Sequence, residues 1–193
     1  PSSPLRLLDD FLVHLAFPEA SSSLPAFLAE RINQEIHFVS LPDQRTLSSA
    51  WTPLLKFEQI PSLAGSPPAR LVLAIAGQDL ENGLPAEQFE RQVAALSDRL
   101  LSDGFSLIWV TPPPFPERVE KARAYSIALR RVAESRRILV ADLFTLFAGS
   151  ENEGAPLFSD LYPMALTARG RRLAADAIAE RIESLSPTAT SAP

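Results

Sequence analysis

A chain of 193 residues, 46% hydrophobic and 21% charged, suits one domain with a sizeable core. We place that domain at residues 1–185 and a flexible Pro/Ser/Thr-rich tail at 186–193. The net charge of −5 offers no basic surface for a nucleic-acid backbone, and no apolar run reaches the roughly 18 residues of a membrane span. With no cysteine, disulfides, thiolate catalysis and cysteine-ligated metals are excluded. Compartment and oligomeric state are not legible, and an extracytoplasmic location fits if a segment before Pro1 was removed.

In chain order, residues 4–8 fit a short strand, yet Leu5, Leu8, Leu12 and Leu15 also form a helical stripe through Phe11. Residues 24–33 read as a helix opened by Ser23, with Pro25 in its first turn. Residues 36–41 are a strand ended by Pro42 and Asp43, and residues 46–60 hold a helix in which Pro53 must sit in the opening turn or break it. A loop at Gly65-Ser66-Pro67-Pro68 precedes the strongest strand signal in the chain, Leu71 to Ala76.

Gly77 follows as a tight turn, leaving Gln78 and Asp79 at that strand's carboxyl end, and Asn82-Gly83 is a second turn. A helix with Phe89, Val93, Leu96 and Leu100 on one face runs to about residue 102. A strand over 105–111 ends in Pro112-Pro113-Pro114, a helix covers 116–135, and a strand covers 138–142. Residues 143–147 form a short helix, and Thr167 caps the last long helix. Alternating strands and helices imply a three-layer α/β/α, flavodoxin-like domain with a mainly parallel sheet.

No Gly-x-Gly-x-x-Gly, Walker loop or Gly-x-Ser-x-Gly elbow is present, which removes the strongest warrants for dinucleotide, nucleotide-triphosphate and α/β-hydrolase chemistry. Two histidines, His14 and His37, and scattered acids specify no metal site, and no cofactor is expected. Gln78 can donate from its amide into the sheet-edge crevice, while Asp79 can hold a neighbouring loop. Asp142, after a buried strand, reads most simply as a cap for the residues that follow. Tyr162 either borders the crevice or anchors the approach to the last helix. The arginines of 169–172 read as a solvated face or ion-pairing surface before they read as a phosphate site.

The order of elements and their edge residues resemble the SGNH hydrolases, the GDSL-like lipases and acylhydrolases. Leu71 to Asp79 is similar to that family's strand leading to glycine, a variable residue, asparagine and aspartate, with Gly77-Gln78-Asp79 in its place. Leu107 to Pro114 resembles the following strand and its proline-bearing exit. Residues 138–143 resemble the next strand, and Leu166 to Ala174 the entry to the terminal helix. The resemblance puts the nucleophilic serine after the first strand, where this chain has Leu8-Asp9-Asp10-Phe11, so Asp10 takes its place. The family's Asp-x-x-His falls on Asp160-Leu161-Tyr162-Pro163, so Asp160 matches the acid and Pro163 the histidine.

A carboxylate cannot form the acyl intermediate as a serine does, and proline offers no base. The resemblance therefore implies a noncatalytic SGNH-like domain that binds, scaffolds or regulates, with Asp10, Gly77, Gln78, Asp79, Asp160 and Tyr162 as its vestigial or ligand site. Its partner would be a protein, a carbohydrate or an acylated small molecule. The alternative is an ester or acetyl-ester hydrolase with a rearranged site, pairing an unassigned serine with His14 or His37 and an acid.

Overall fold

The computed structural model describes residues 4–9, 24–40, 53–150, 156–160 and 164–185. The elements run β1 (Leu5–Asp9), α1 (Leu24–Ile32), β2 (Ile36–Ser40), α2 (Pro53–Leu63), β3 (Arg70–Ala74), α3 (Gly77–Asn82) and α4 (Ala86–Ser102). They continue with β4 (Ser106–Val110), α5 (Val119–Arg136), β5 (Leu139–Ala141), α6 (Leu143–Ser150) and α7 (Ala168–Leu185). Among the described residues five strands form one sheet in the order β2-β1-β3-β4-β5, and every pairing within it is parallel. Parallel neighbours need crossovers, and the helices supply them.

The helices fall into two packed groups, α1 with α7, and α2 with α4 and α5. Right-handed crossovers place these groups on opposite faces: β1 to β2 runs one way along the sheet, while β3 to β4 to β5 runs the other. Both faces are thus covered, which explains why Leu71 to Ala74 of β3 and Leu107 to Val110 of β4 are apolar and buried without alternation. Trp109 sits in β4 with no solvent contact, and its indole N–H donates to Ser97 Oγ of α4 at 3.1 Å. A buried tryptophan needs such an acceptor, which accounts for a serine in the apolar face of α4.

The ambiguity at residues 4–8 resolves as a strand, because Leu5 and Asp9 register with Ile36 and Ser40 on one side and with Arg70 and Ala74 on the other. Pro53 is the first residue of α2, where its missing N–H costs nothing, and Pro61 lies inside the same helix. The expected turn at Gly77 is instead the first turn of α3. Asn82-Gly83 closes that helix, with Gly83 at φ 79°, its N–H donating to Asp79 O at 3.0 Å. Only glycine adopts that left-handed backbone freely. Helix α5 starts at Val119 rather than 116, since residues 116–118 form a turn. Expectations placed on residues 41–52 and 186–193 lie outside the described residues.

One polar side chain runs against the packing logic. Both polar atoms of the Gln92 amide on α4 are shielded from solvent and have no hydrogen-bond partner among the described residues. Such groups carry their desolvation cost without return. Gln92→Leu is accordingly expected to raise stability by about 1 kcal/mol, read as a higher urea midpoint with an unchanged m-value. An equal loss of stability would show that the amide is bonded.

Candidate functional site

Strand order sets the place for a site. Connections leave β1 and β3 in opposite directions, and open α/β sheets hold ligands in the crevice at the carboxyl ends of such a strand pair. Asp9 ends β1, and β3 runs through Ile75 and Ala76 directly into α3, so Gly77, Gln78 and Asp79 stand beside the strand that carries Asp9. Asp9 is 2% exposed, Gln78 5% and Asp79 0%. These side chains form the floor of the sheet edge rather than its open rim. None of the three stands without a partner, as buried polar groups require.

Helix α3 has six residues and fewer than two turns, so tertiary contacts must hold it. Asn82 Nδ2 donates to Gln78 O at 2.7 Å. Gly83 N–H and Leu84 N–H both donate to Asp79 O, at 3.0 and 3.1 Å. From α5, the buried Tyr125 hydroxyl lies 2.7 Å from Leu84 O and 3.2 Å from Asp79 O. With one proton to give, it donates across the shorter contact. The Tyr125 ring stacks on Phe89 of α4 at 4.1 Å between centroids.

At the β4 and β5 edge, Asp142 caps α6. Its Oδ1 accepts from the Thr145 N–H at 3.2 Å and from Thr111 Oγ1 at 3.0 Å, while Oδ2 accepts from Thr145 Oγ1 at 2.8 Å and Arg130 Nη1 at 2.7 Å. Thr111 Oγ1 in turn accepts from Phe144 N–H at 3.1 Å. Partial burial alone would push the Asp142 carboxyl up; the bonds from Thr145 and then from Arg130 outweigh it and hold the group below its ordinary value. Every lone-pair direction of Asp142 is engaged, so the capping role expected from sequence holds.

The approach to α7 is a docked segment. Phe158 bridges Leu166, Ser159 N–H donates to Ala165 O at 2.9 Å, and Thr167 N–H donates to Leu157 O at 3.0 Å. Thr167 Oγ1 accepts from Gly170 N–H at 3.2 Å, which is the expected cap. The Phe158 ring packs on Phe115 and Phe147, both at 5.7 Å. Asp160 lies exposed beyond this bridge. The arginines at the start of α7 serve the fold in part: Arg171 Nη1 donates to Leu166 O at 2.8 Å, and Arg172 sits 4.6 Å over the Phe27 ring of α1.

Asp10, Tyr162, His14 and the serines at 21–23, 48 and 49 lie outside the described residues. His37 is exposed on β2 and registers with Arg6, three residues before the Asp9 and Ser40 pair that ends the two strands. At 3.3 Å per residue this puts its backbone about 10 Å from the carboxyl edge. Among the described residues no group of three His, Asp or Glu converges to hold a metal ion, and no helix is long and apolar enough to cross a membrane.

No protein-family model and no curated relative matches the sequence. Solved structures do match the fold over nearly their whole length. TesA superposes with a TM-score of 0.72 at 16% identity, over 95% of this chain and 99% of its own. The fold is SGNH-hydrolase-like. A member of the lipolytic G-D-S-L family from Veillonella parvula gives 0.70 at 15% identity, covering 95% and 99%. The acetyl xylan esterase AlAXEase gives 0.68 at 15%, covering 94% and 100%. The three-layer SGNH-like arrangement expected from the motifs is therefore present, with a first strand that ends at Asp9.

Sequence reasoning missed Thr111 and Tyr125. The only sign of Thr111 was a hydroxyl between an apolar strand and three prolines, and nothing in the spacing of α5 distinguishes Tyr125 from an ordinary core aromatic.

Proposed function

We propose that this chain is an SGNH-fold domain that binds an ester- or acetyl-bearing ligand, a carbohydrate or an acylated small molecule, at the carboxyl edge between β1 and β3, and that it does so without turnover. The observation that carries this reading is the residue content of the catalytic places. No hydroxyl or thiol side chain occurs anywhere from Pro4 to Ala20, around the end of β1, and no histidine follows His37. An acyl enzyme needs both an attacking group and a base beside it. Asp10 takes the serine place of the resemblance and Pro163 the histidine place. Gln78 keeps an amide at the end of β3 able to hydrogen-bond a carbonyl.

A second reading, hydrolysis of an ester or acetyl group by a rearranged site, has two supports. Several of the similar structures are esterases, the acetyl xylan esterase AlAXEase among them. Ser40 also ends β2 in register with Asp9. With His37 about 10 Å from that edge, the base for such a site would be His14.

The two readings separate in one set of measurements with 4-nitrophenyl acetate and an acetylated xylo-oligosaccharide. We expect saturable binding of the oligosaccharide in amide NMR spectra, weakened roughly 3- to 10-fold by Gln78→Ala as for one lost hydrogen bond. Release of 4-nitrophenol is expected to match that of a Ser40→Ala, His14→Ala double variant. Turnover abolished by either substitution would establish the hydrolase instead. Neither binding nor turnover would sink both readings.

A further inference from the structure

We infer that Tyr125 is a positioning residue for the Gln78 site, acting through the short helix α3. This deepens the reading above and rests on Gln78 as the ligand-facing amide. Gln78 lies in the first turn of a six-residue helix that propensity alone cannot maintain. One tertiary constraint comes from α5, in the next crossover of the chain. The Tyr125 hydroxyl reaches over the carboxyl end of α3 and donates to Leu84 O at 2.7 Å, beside Asp79 O at 3.2 Å.

Asp79 O already accepts from Gly83 and Leu84 N–H, so the tail of α3 closes on itself around the one oxygen, and the phenol ties that closure to the core. The ring that carries the hydroxyl is fully buried and stacked on Phe89 at an interplanar angle of 8°. A stacked ring is a fixed platform. The consequence is a rigid path from α4 and α5, through the hydroxyl, to the helix that presents Gln78 at the sheet edge. At its far end Gln78 O accepts from Asn82 Nδ2 at 2.7 Å, so the first and last turns of α3 move as one.

Tyr125→Phe tests this directly, since phenylalanine retains the stacked ring and removes only the hydroxyl. Two readouts are needed. The first is the side-chain NH2 resonance pair of Gln78 together with the backbone amides of residues 77–84 in the full chain. The hydroxyl's removal should shift them and accelerate their hydrogen exchange, while the amides of β1 and α7 stay in place. The second is a double-mutant cycle on binding of the acetylated xylo-oligosaccharide.

If Tyr125 acts through Gln78, Tyr125→Phe weakens binding about 3-fold in the wild-type background and not at all in the Gln78→Ala background. Ser97→Ala, which removes the acceptor of Trp109 on the same α4, should leave binding unchanged. An additive cycle, or Gln78 signals that do not move, overturns the inference even where Gln78→Ala itself weakens binding. If Gln78→Ala leaves binding untouched, the ligand reading fails, and the Gln78 resonances alone then decide whether Tyr125 sets its position.

Discussion

Gly170→Ala is expected to lower stability by about 1–3 kcal/mol and the thermal midpoint by roughly 3–10 °C. Helix propensity points the other way, favouring alanine inside α7 by about 1 kcal/mol, so the sign of the change is itself informative. A Cβ at residue 170 would enter hard contact with the backbone carbonyl oxygen of Leu157. That oxygen cannot simply retreat. It accepts from Thr167 N–H at 3.0 Å and lies 3.3 Å from Thr167 Oγ1, and the same hydroxyl donates to Pro156 O at 2.7 Å. Making room for one methyl therefore means loosening the segment that carries Asp160. A midpoint equal to or above that of the wild type would show that this segment is held less firmly than its bonds indicate.

Asp142→Ala should cost about 2–3 kcal/mol at neutral pH, combining a lost helix cap of about 1 kcal/mol with the buried Thr111 hydroxyl left without its acceptor. The carboxyl sits below its ordinary value of 3.8 in the folded chain. Its contribution is therefore complete above about pH 4–5 and is lost as pH falls through the depressed folded value. Urea unfolding at pH 7 and at pH 3 should accordingly show the gap between wild type and Asp142→Ala narrowing in acid. A gap of constant size would mean that the ionised carboxylate, with its Arg130 and Thr145 bonds, is not what holds α6 in place. Asp142→Asn, which keeps the shape and loses the charge, should fall between the two at pH 7.

The architecture was legible where local signals were long. Leu71 to Ala76 reads as a doubly covered strand because six apolar residues without alternation have few other uses, and α4 as a helix because Phe89, Val93, Leu96 and Leu100 keep a helical period over about three turns. Short elements were not legible in this way. Leu5 and Leu8 fit both a strand and a helical stripe, and only pairing with β2 and β3 on either side decides for a strand. Helix α3 looks like a turn in the sequence because a glycine opens it and Asn82-Gly83 closes it, leaving too few residues between them to show a period.

The candidate site divides along the same line. Gln78, Asp79 and the capping role of Asp142 follow from their place after apolar strands, since a polar residue at a strand exit has little else to do. The register that sets Ser40 beside Asp9 is a property of the sheet and is invisible in the order of residues. Tyr125 is a similar case, because its partners Asp79 and Leu84 lie more than forty residues away.

The last helix packs against the first. Arg31 at the end of α1 pairs with Glu183 near the end of α7 at 2.7 Å, and Arg172 covers Phe27 near their beginnings, so the two run side by side in the same direction. During synthesis, α1 and the sheet face that α7 covers emerge well before α7 exists. Until Ile178 and Ile182 arrive, that face has no cover, and the nascent chain exposes an apolar surface of the kind chaperones recognise. A shortened chain ending before residue 168 is thus expected to collect in the insoluble fraction, although it retains all of β1 to β5.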